Sequence, residues 1–144
     1  MVYFDSAYLV KCYVKEPGWE PVRSLARRCE SVACSIYGKL EVSAALHGKH
    51  REGELTQNQM DALYQQLDLD ESHRLWTWLP ITDKIKTEVV KSFRSLPPSV
   101  FLRTADALHL VTAKDQGLSE IYSNDVHLLT AARYFGIVGK NELS

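Results

Sequence analysis

The sequence lacks the features that would place it among membrane, secreted or repetitive proteins. Its 144 residues contain no apolar run close to the roughly 20 residues that a transmembrane helix needs. Asp5 interrupts the apolar core that an N-terminal signal peptide would require. Cysteine is scarce, with three residues and no C-x-x-C pair. We therefore expect reduced thiols in a cytoplasmic protein that has no membrane partner.

A strong net charge is absent as well. The chain has 17 basic and 18 acidic side chains, which leaves a formal net charge of −1. This balance provides no overall basic surface for nucleic acid, so a polyanion would have to bind a local patch. The apolar fraction of 45% and the charged fraction of 24% are typical of a globular protein. The length predicts one domain over residues 1–144.

Short apolar segments alternate with amphipathic segments along the chain. Strands are predicted at residues 1–4, 32–36, 74–79, 120–123 and 137–138. Helices are predicted at residues 6–14, 19–28, 37–50, 57–70, 83–93, 104–116 and 126–134. A loop is predicted at residues 94–103, which contain two consecutive prolines. This alternation predicts an α/β fold with a central parallel sheet of four to five strands, flanked by helices.

Four carboxylates lie where predicted strands end or helices begin. Asp5 directly follows the first strand, and Asp125 lies two residues after the fourth. Glu41 is about one turn into the helix that follows the second strand, and Asp106 is in the first turn of its own helix. Because functional crevices in parallel sheets lie beyond the carboxyl ends of the strands, the strand order could bring these four acids together.

Ordinary structural uses exist for three of the four acids. Asp5 and Asp125 could each cap the helix that follows. Asp106 would gain about 0.3–1 kcal/mol from the positive end of its helix. Glu41 is harder to explain in this way, because it lies in the apolar segment LEVSAAL, where a buried and unpaired carboxylate is costly.

Convergence of the four acids would predict a particular chemistry. Two unit charges about 4 Å apart repel each other by roughly 4 kcal/mol at an effective dielectric constant near 20. A bound cation would remove this cost, and an all-oxygen ligand set favours Mg²⁺ or Mn²⁺. Such ions typically support phosphodiester cleavage by a metal-activated water.

Four segments containing these acids resemble a known family. The segments are YFDSAYLVK (3–11), KLEVSAAL (39–46), RTADALHL (103–110) and YSNDVHLL (122–129). In order and spacing they resemble the PIN domain, and specifically the VapC-type ribonuclease toxins. The resemblance covers nearly the whole chain. It implies a Mg²⁺- or Mn²⁺-dependent endoribonuclease whose catalytic and metal-binding acids are Asp5, Glu41, Asp106 and Asp125.

Further residues are candidates for the site, and the resemblance also implies partners. Ser123 matches a hydroxyl residue, usually Thr, that accompanies the fourth acid, and Ser6 is a second candidate donor for orienting the ligands. Lys11, Lys39 and Arg103 are candidate contacts to substrate phosphate. The family implies a homodimer, an RNA substrate and a VapB-type antitoxin encoded next to the toxin.

Other functions are compatible with parts of the sequence. A housekeeping RNA-processing nuclease, or a silent domain that only binds RNA or protein, would share the same segments. A phosphatase with an aspartyl nucleophile would need a second Asp at position 7, which is Ala7. His47 and His50 could share a zinc ion, but no further ligand is evident.

Overall fold

Five short strands form one all-parallel sheet in the computed structural model, which describes residues 1–143. The strands are β1 (Val2–Phe4), β2 (Val32–Ser35), β3 (Trp76–Leu79), β4 (Glu120–Tyr122) and β5 (Val138–Lys140). Their order across the sheet is β3-β2-β1-β4-β5, and every neighbouring pair is parallel. The predicted α/β fold with a parallel sheet is confirmed.

In the part of the chain that the structure describes, seven α-helices connect and cover the strands. They are α1 (Ser6–Tyr13), α2 (Trp19–Arg28), α3 (Ile36–Arg51), α4 (Gln57–Ser72), α5 (Asp83–Ser95), α6 (Thr104–Asp115) and α7 (Val126–Ala131). A capping box at Thr56 begins α4, because the Thr56 hydroxyl accepts from the Gln59 amide and the Gln59 side chain accepts from the Thr56 amide. Within residues 1–143, every helix is too short or too polar to cross a bilayer.

Two predicted boundaries differ from the structure by a change of local conformation. Ile36 was assigned to the second strand but begins α3, because the Ser35 hydroxyl accepts from the Tyr37 amide and caps the helix. The helix predicted over residues 126–134 ends at Ala131 and continues as a 3₁₀ turn, Ala132–Phe135. Gly136 ends this turn with a positive φ of 70°, which glycine adopts without strain.

Strand β1 lies at the centre of the sheet, with β2 and β3 on one side of it and β4 and β5 on the other. Its residues Tyr3 and Phe4 are fully buried, as are Ala33 of β2 and Ile121 of β4. A parallel sheet covered by helices on both faces produces this pattern. The change of direction beside β1 is a topological switch point, where a crevice forms beyond the carboxyl ends of the strands.

Candidate active site

Asp5 lies in the step from the central strand β1 to α1 and is buried. Its Oδ1 accepts from the Tyr8 amide at 2.9 Å, so Asp5 caps α1 as its sequence position predicted. Its Oδ2 accepts a hydrogen bond from the Ser123 hydroxyl, which lies just beyond β4. Burial raises the pKa of the Asp5 carboxyl, against the opposing effect of these two hydrogen bonds. Asp5 therefore joins the ends of two adjacent strands.

Glu41 faces the same crevice from α3. Its Oε1 accepts from the Ser6 hydroxyl at 2.9 Å and lies 2.9 Å from His109 Nε2. Its side chain is 31% exposed, so the carboxylate is neither fully buried nor unpaired. The sequence predicts Ser6 as a donor to the acids, but it does not indicate the pairing of Glu41 with His109, which comes from a distant part of the chain.

His109 is buried beneath the acids, on α6. Its Nδ1 lies 2.7 Å from the Tyr3 hydroxyl, which also accepts from the Ser35 amide at 2.8 Å. Burial alone would lower the pKa of His109, but hydrogen bonds with Cys34 and Glu41 outweigh it and raise the pKa to about 10. A charged imidazolium would donate to both Tyr3 and Glu41.

Sequence reasoning did not identify Glu41 as the partner of His109. The useful signal was its position three residues after Asp106, which places both side chains on one face of a helix. The charge of His109 lowers the pKa of both Asp5 and Asp106, so it interacts with acids from two separate segments.

Asp106 lies in the first turn of α6, with its side chain only 14% exposed. Among the described residues its Oδ2 has no hydrogen-bond partner, and the nearest cation is Arg103 Nε at 4.0 Å. Burial, followed by the charge of Asp125, raises the pKa of Asp106, although Arg103 and His109 oppose this shift. A buried carboxylate oxygen without a donor is an available ligand for a cation.

Asp125 caps α7, as predicted, because its Oδ1 accepts from the amides of His127 and Leu128 at 2.8 and 3.2 Å. Its own amide donates to the Ser123 hydroxyl at 2.9 Å, and its Oδ2 lies 3.6 Å from Arg103 Nη2. The Ser123 hydroxyl therefore connects Asp125 to Asp5. Arg103 lies beside both Asp106 and Asp125 as a positive charge.

These contacts link all four predicted acids at the carboxyl edge of the sheet. Glu41 raises the pKa of Asp5 and Asp125 raises that of Asp106, which is mutual repulsion between like charges. Within residues 1–143, no group of three or more Asp, Glu, His or Cys side chains is already arranged so that it could hold a metal ion. The ligand set nevertheless suits a hard cation, since it offers carboxylate oxygens, one of them buried and unpartnered.

The three candidate phosphate contacts lie in different environments. Lys11 is buried and pairs with Glu16 at 2.9 Å, and Lys39 pairs with Glu71 at 2.6 Å. Arg103 is the one of the three that lies beside the acids, with 64% of its side chain exposed.

The pair of histidines considered for zinc gains no support from the structure. His50 Nδ1 lies 2.8 Å from the Leu55 carbonyl, and among residues 1–143 no group of three possible zinc ligands forms.

Comparison with known proteins identifies related folds. The PIN domain profile matches residues 2–134. A crystal structure of FitAcB from Neisseria gonorrhoeae aligns with a TM-score of 0.70 and 17% identity, covering 99% of this chain and 98% of that one. A structure of FitAB bound to an IR36 DNA fragment aligns with a TM-score of 0.58 and 12% identity, covering 100% and 96%. No curated protein matches the chain in sequence.

Proposed function

Because this chain belongs to the PIN domain family, whose members are generally nucleases, we propose that it is a metal-dependent endoribonuclease. We further propose that it is the toxin component of a VapBC-type toxin–antitoxin system. The observation that supports nuclease activity best is that acids from four chain segments lie at one edge of the sheet. Ser123 connects Asp5 with Asp125, and Arg103 lies beside Asp106 and Asp125. Glu41 pairs with the buried His109 of the helix that carries Asp106. A solely structural role would not require that Asp106 Oδ2 be buried without a hydrogen-bond donor among the described residues.

The proposed metal ligands are Asp5, Glu41, Asp106 and Asp125, and the proposed ion is Mg²⁺ or Mn²⁺. When bound, such an ion would supply an activated water for attack on the phosphodiester and would offset negative charge on the phosphate. Because these acids repel one another, the site favours binding of a divalent cation and disfavours binding of an anion.

The neighbouring side chains hold these acids in position. The Ser123 hydroxyl fixes Asp5 and Asp125 relative to each other, and Ser6 and His109 together orient Glu41. Arg103 is proposed to contact a substrate phosphate, because its exposed guanidinium lies at the edge of the acids. For Lys11 and Lys39 a phosphate contact would require their present ion pairs to open, and Arg103 would likewise turn from Asp125 towards the phosphate.

The proposed partners are a VapB-type antitoxin, RNA and a second copy of the chain. The resemblance of four segments to VapC-type toxins supports the antitoxin, and so does the fold shared with FitAcB and FitAB. A cytoplasmic location is proposed from the reduced thiols, since all three cysteines are free.

The proposal is tested by cleavage of total cellular RNA by protein purified free of the adjacent gene product. We expect cleavage in Mg²⁺ or Mn²⁺, its loss in EDTA, and products with 5′-phosphate and 3′-hydroxyl ends. Glu41→Gln should abolish cleavage, while Asp83→Asn, which changes a fully exposed acid, should not. Cleavage that persists in EDTA, or 2′,3′-cyclic phosphate ends, would exclude this mechanism. A protein that binds RNA without cutting it would instead be a silent binding domain.

A further inference from the structure

An exposed aromatic pair lies beside the acids, in a position that core packing does not explain. The side chain of Phe101 is 57% exposed. Its ring packs against the exposed ring of His127, with centroids 4.6 Å apart and planes inclined by 59°. We call these two residues the aromatic ledge. Single exposed apolar residues are common, but this one touches another ring and leaves much of its face open.

The loop before α6 fixes the outward direction of Phe101. Val100 and Leu102 pack against the core, whereas Phe101 and Arg103 are exposed. Side chains alternate in direction along extended backbone, and Arg103 has extended dihedral angles, φ −87° and ψ 159°. Phe101 and Arg103 therefore project together on the outer side of the loop. Val100 and Leu102 hold Phe101 and Arg103 in this arrangement, because both pack against the core.

The aromatic ledge is continuous with the proposed active site. The backbone amide of His127 donates to Asp125 Oδ1 at 2.8 Å, so the residue that carries one ring of the ledge adjoins this acid. Arg103 Nη2 lies 3.6 Å from the other oxygen of Asp125. An open aromatic face, a guanidinium and a carboxylate thus adjoin one another. Aromatic rings stack on unpaired bases, and guanidinium groups bind phosphate.

We propose that Phe101 and His127 bind an unpaired base of the RNA by stacking, next to the phosphodiester that is cut. This inference rests on the proposed nuclease function and adds a base-binding subsite to it. Arg103 would hold the phosphate of the same nucleotide, which aligns the neighbouring phosphodiester with the acids.

Binding of a short single-stranded RNA that carries one 2-aminopurine tests the ledge. The measurement is made in the Asp106→Asn background, so that no cleavage occurs. We expect 2-aminopurine fluorescence to fall on binding, because the base stacks. Phe101→Leu keeps an apolar side chain but removes the aromatic face, and should weaken binding about tenfold and abolish the quenching. Phe101→Trp should retain both. Val138→Ala is the control, because Val138 is similarly exposed at the opposite edge of the sheet, where β5 begins.

The outcomes separate the ledge from the nuclease proposal. If the unmodified enzyme cuts RNA in Mg²⁺ but Phe101→Leu binds and quenches as the parent does, the ledge is wrong and the nuclease proposal stands. If Phe101→Leu leaves RNA binding intact and only Phe101→Asp weakens binding of the adjacently encoded protein, the surface serves a protein partner and the ledge is again overturned. If RNA is neither bound nor cut by any form, both proposals fail.

Discussion

Replacement of Asp106 by asparagine tests whether this carboxylate is a metal ligand or has only a structural role. In metal-free protein at pH 7, a buried acceptor without a partner costs about 1–3 kcal/mol, and more when it is charged. The neutral amide relieves much of this cost but forgoes about 0.3–1 kcal/mol of favourable interaction with the helix end. We therefore expect Asp106→Asn to raise the free energy of unfolding by about 0.5–2 kcal/mol in EDTA. For a domain of this size that corresponds to a Tm increase of about 2–6 °C.

The difference in the free energy of unfolding between Asp106→Asn and the parent protein should depend on pH, because the pKa of Asp106 is raised. An acid whose pKa is higher in the folded state than in the unfolded state destabilises the fold once it ionises. The penalty is present above the folded pKa and absent below the unfolded pKa of about 3.9. The advantage of Asp106→Asn should therefore be largest near pH 7 and should shrink as the pH is lowered towards 4. Urea unfolding in EDTA at several pH values measures it.

Added metal should reverse the order of stability. At 100 times its dissociation constant, an ion that binds only the folded state adds about 2.7 kcal/mol to the parent protein, and the variant should lose most of this gain. Asp83→Asn is the matched control, because Asp83 is also in the first turn of a helix but is fully exposed. It should show no stabilisation in EDTA and an unchanged response to metal. A clear loss of stability in metal-free Asp106→Asn would refute the account.

Four further substitutions test a hydrogen bond of the site and the packing of α3. Ser123→Ala removes the donor to Asp5 and should lower the free energy of unfolding in urea by about 1–3 kcal/mol and abolish most of the cleavage. Ser123→Thr keeps the hydroxyl and should preserve both stability and cleavage. Equal behaviour of the two variants would contradict this role of Ser123. Gly38→Ala would place a Cβ 2.2 Å from Cys34 Sγ and should destabilise by about 1–3 kcal/mol. Gly48→Ala, in open space on the same helix, should stabilise by about 0.5–1 kcal/mol, and a similar effect of both changes would argue against tight packing at Gly38.

The sequence predicted the sheet and the positions of the four acids because both depend on local patterns. Apolar segments separated by helices imply parallel strands, and a position just after a strand implies the carboxyl edge. Alternation does not determine the order β3-β2-β1-β4-β5, since that order depends on which strands pair across the chain. The capping role of Asp5 and Asp125 and their linkage at the site are both present, so the two interpretations did not exclude each other.

Long-range partners were outside the reach of local reasoning. Lys11 and Arg103 were equivalent as candidate phosphate contacts in the sequence. In the structure Lys11 is buried against Glu16, whereas Arg103 projects from a loop beside two acids. The hydrogen bond of His109 with Glu41 joins residues 68 positions apart, which no helical or strand periodicity indicates. Such pairs become apparent only when the strand order is known.

Binding of Mn²⁺, followed by the loss of the free-ion signal in electron paramagnetic resonance, tests most directly whether the four acids form a metal site. We predict saturable binding to the parent protein, at least tenfold weaker binding to Asp5→Asn and Glu41→Gln, and unchanged binding to Asp83→Asn. Undiminished Mn²⁺ binding by the Asp5 and Glu41 variants, or no saturable binding by the parent protein, would contradict the proposed site.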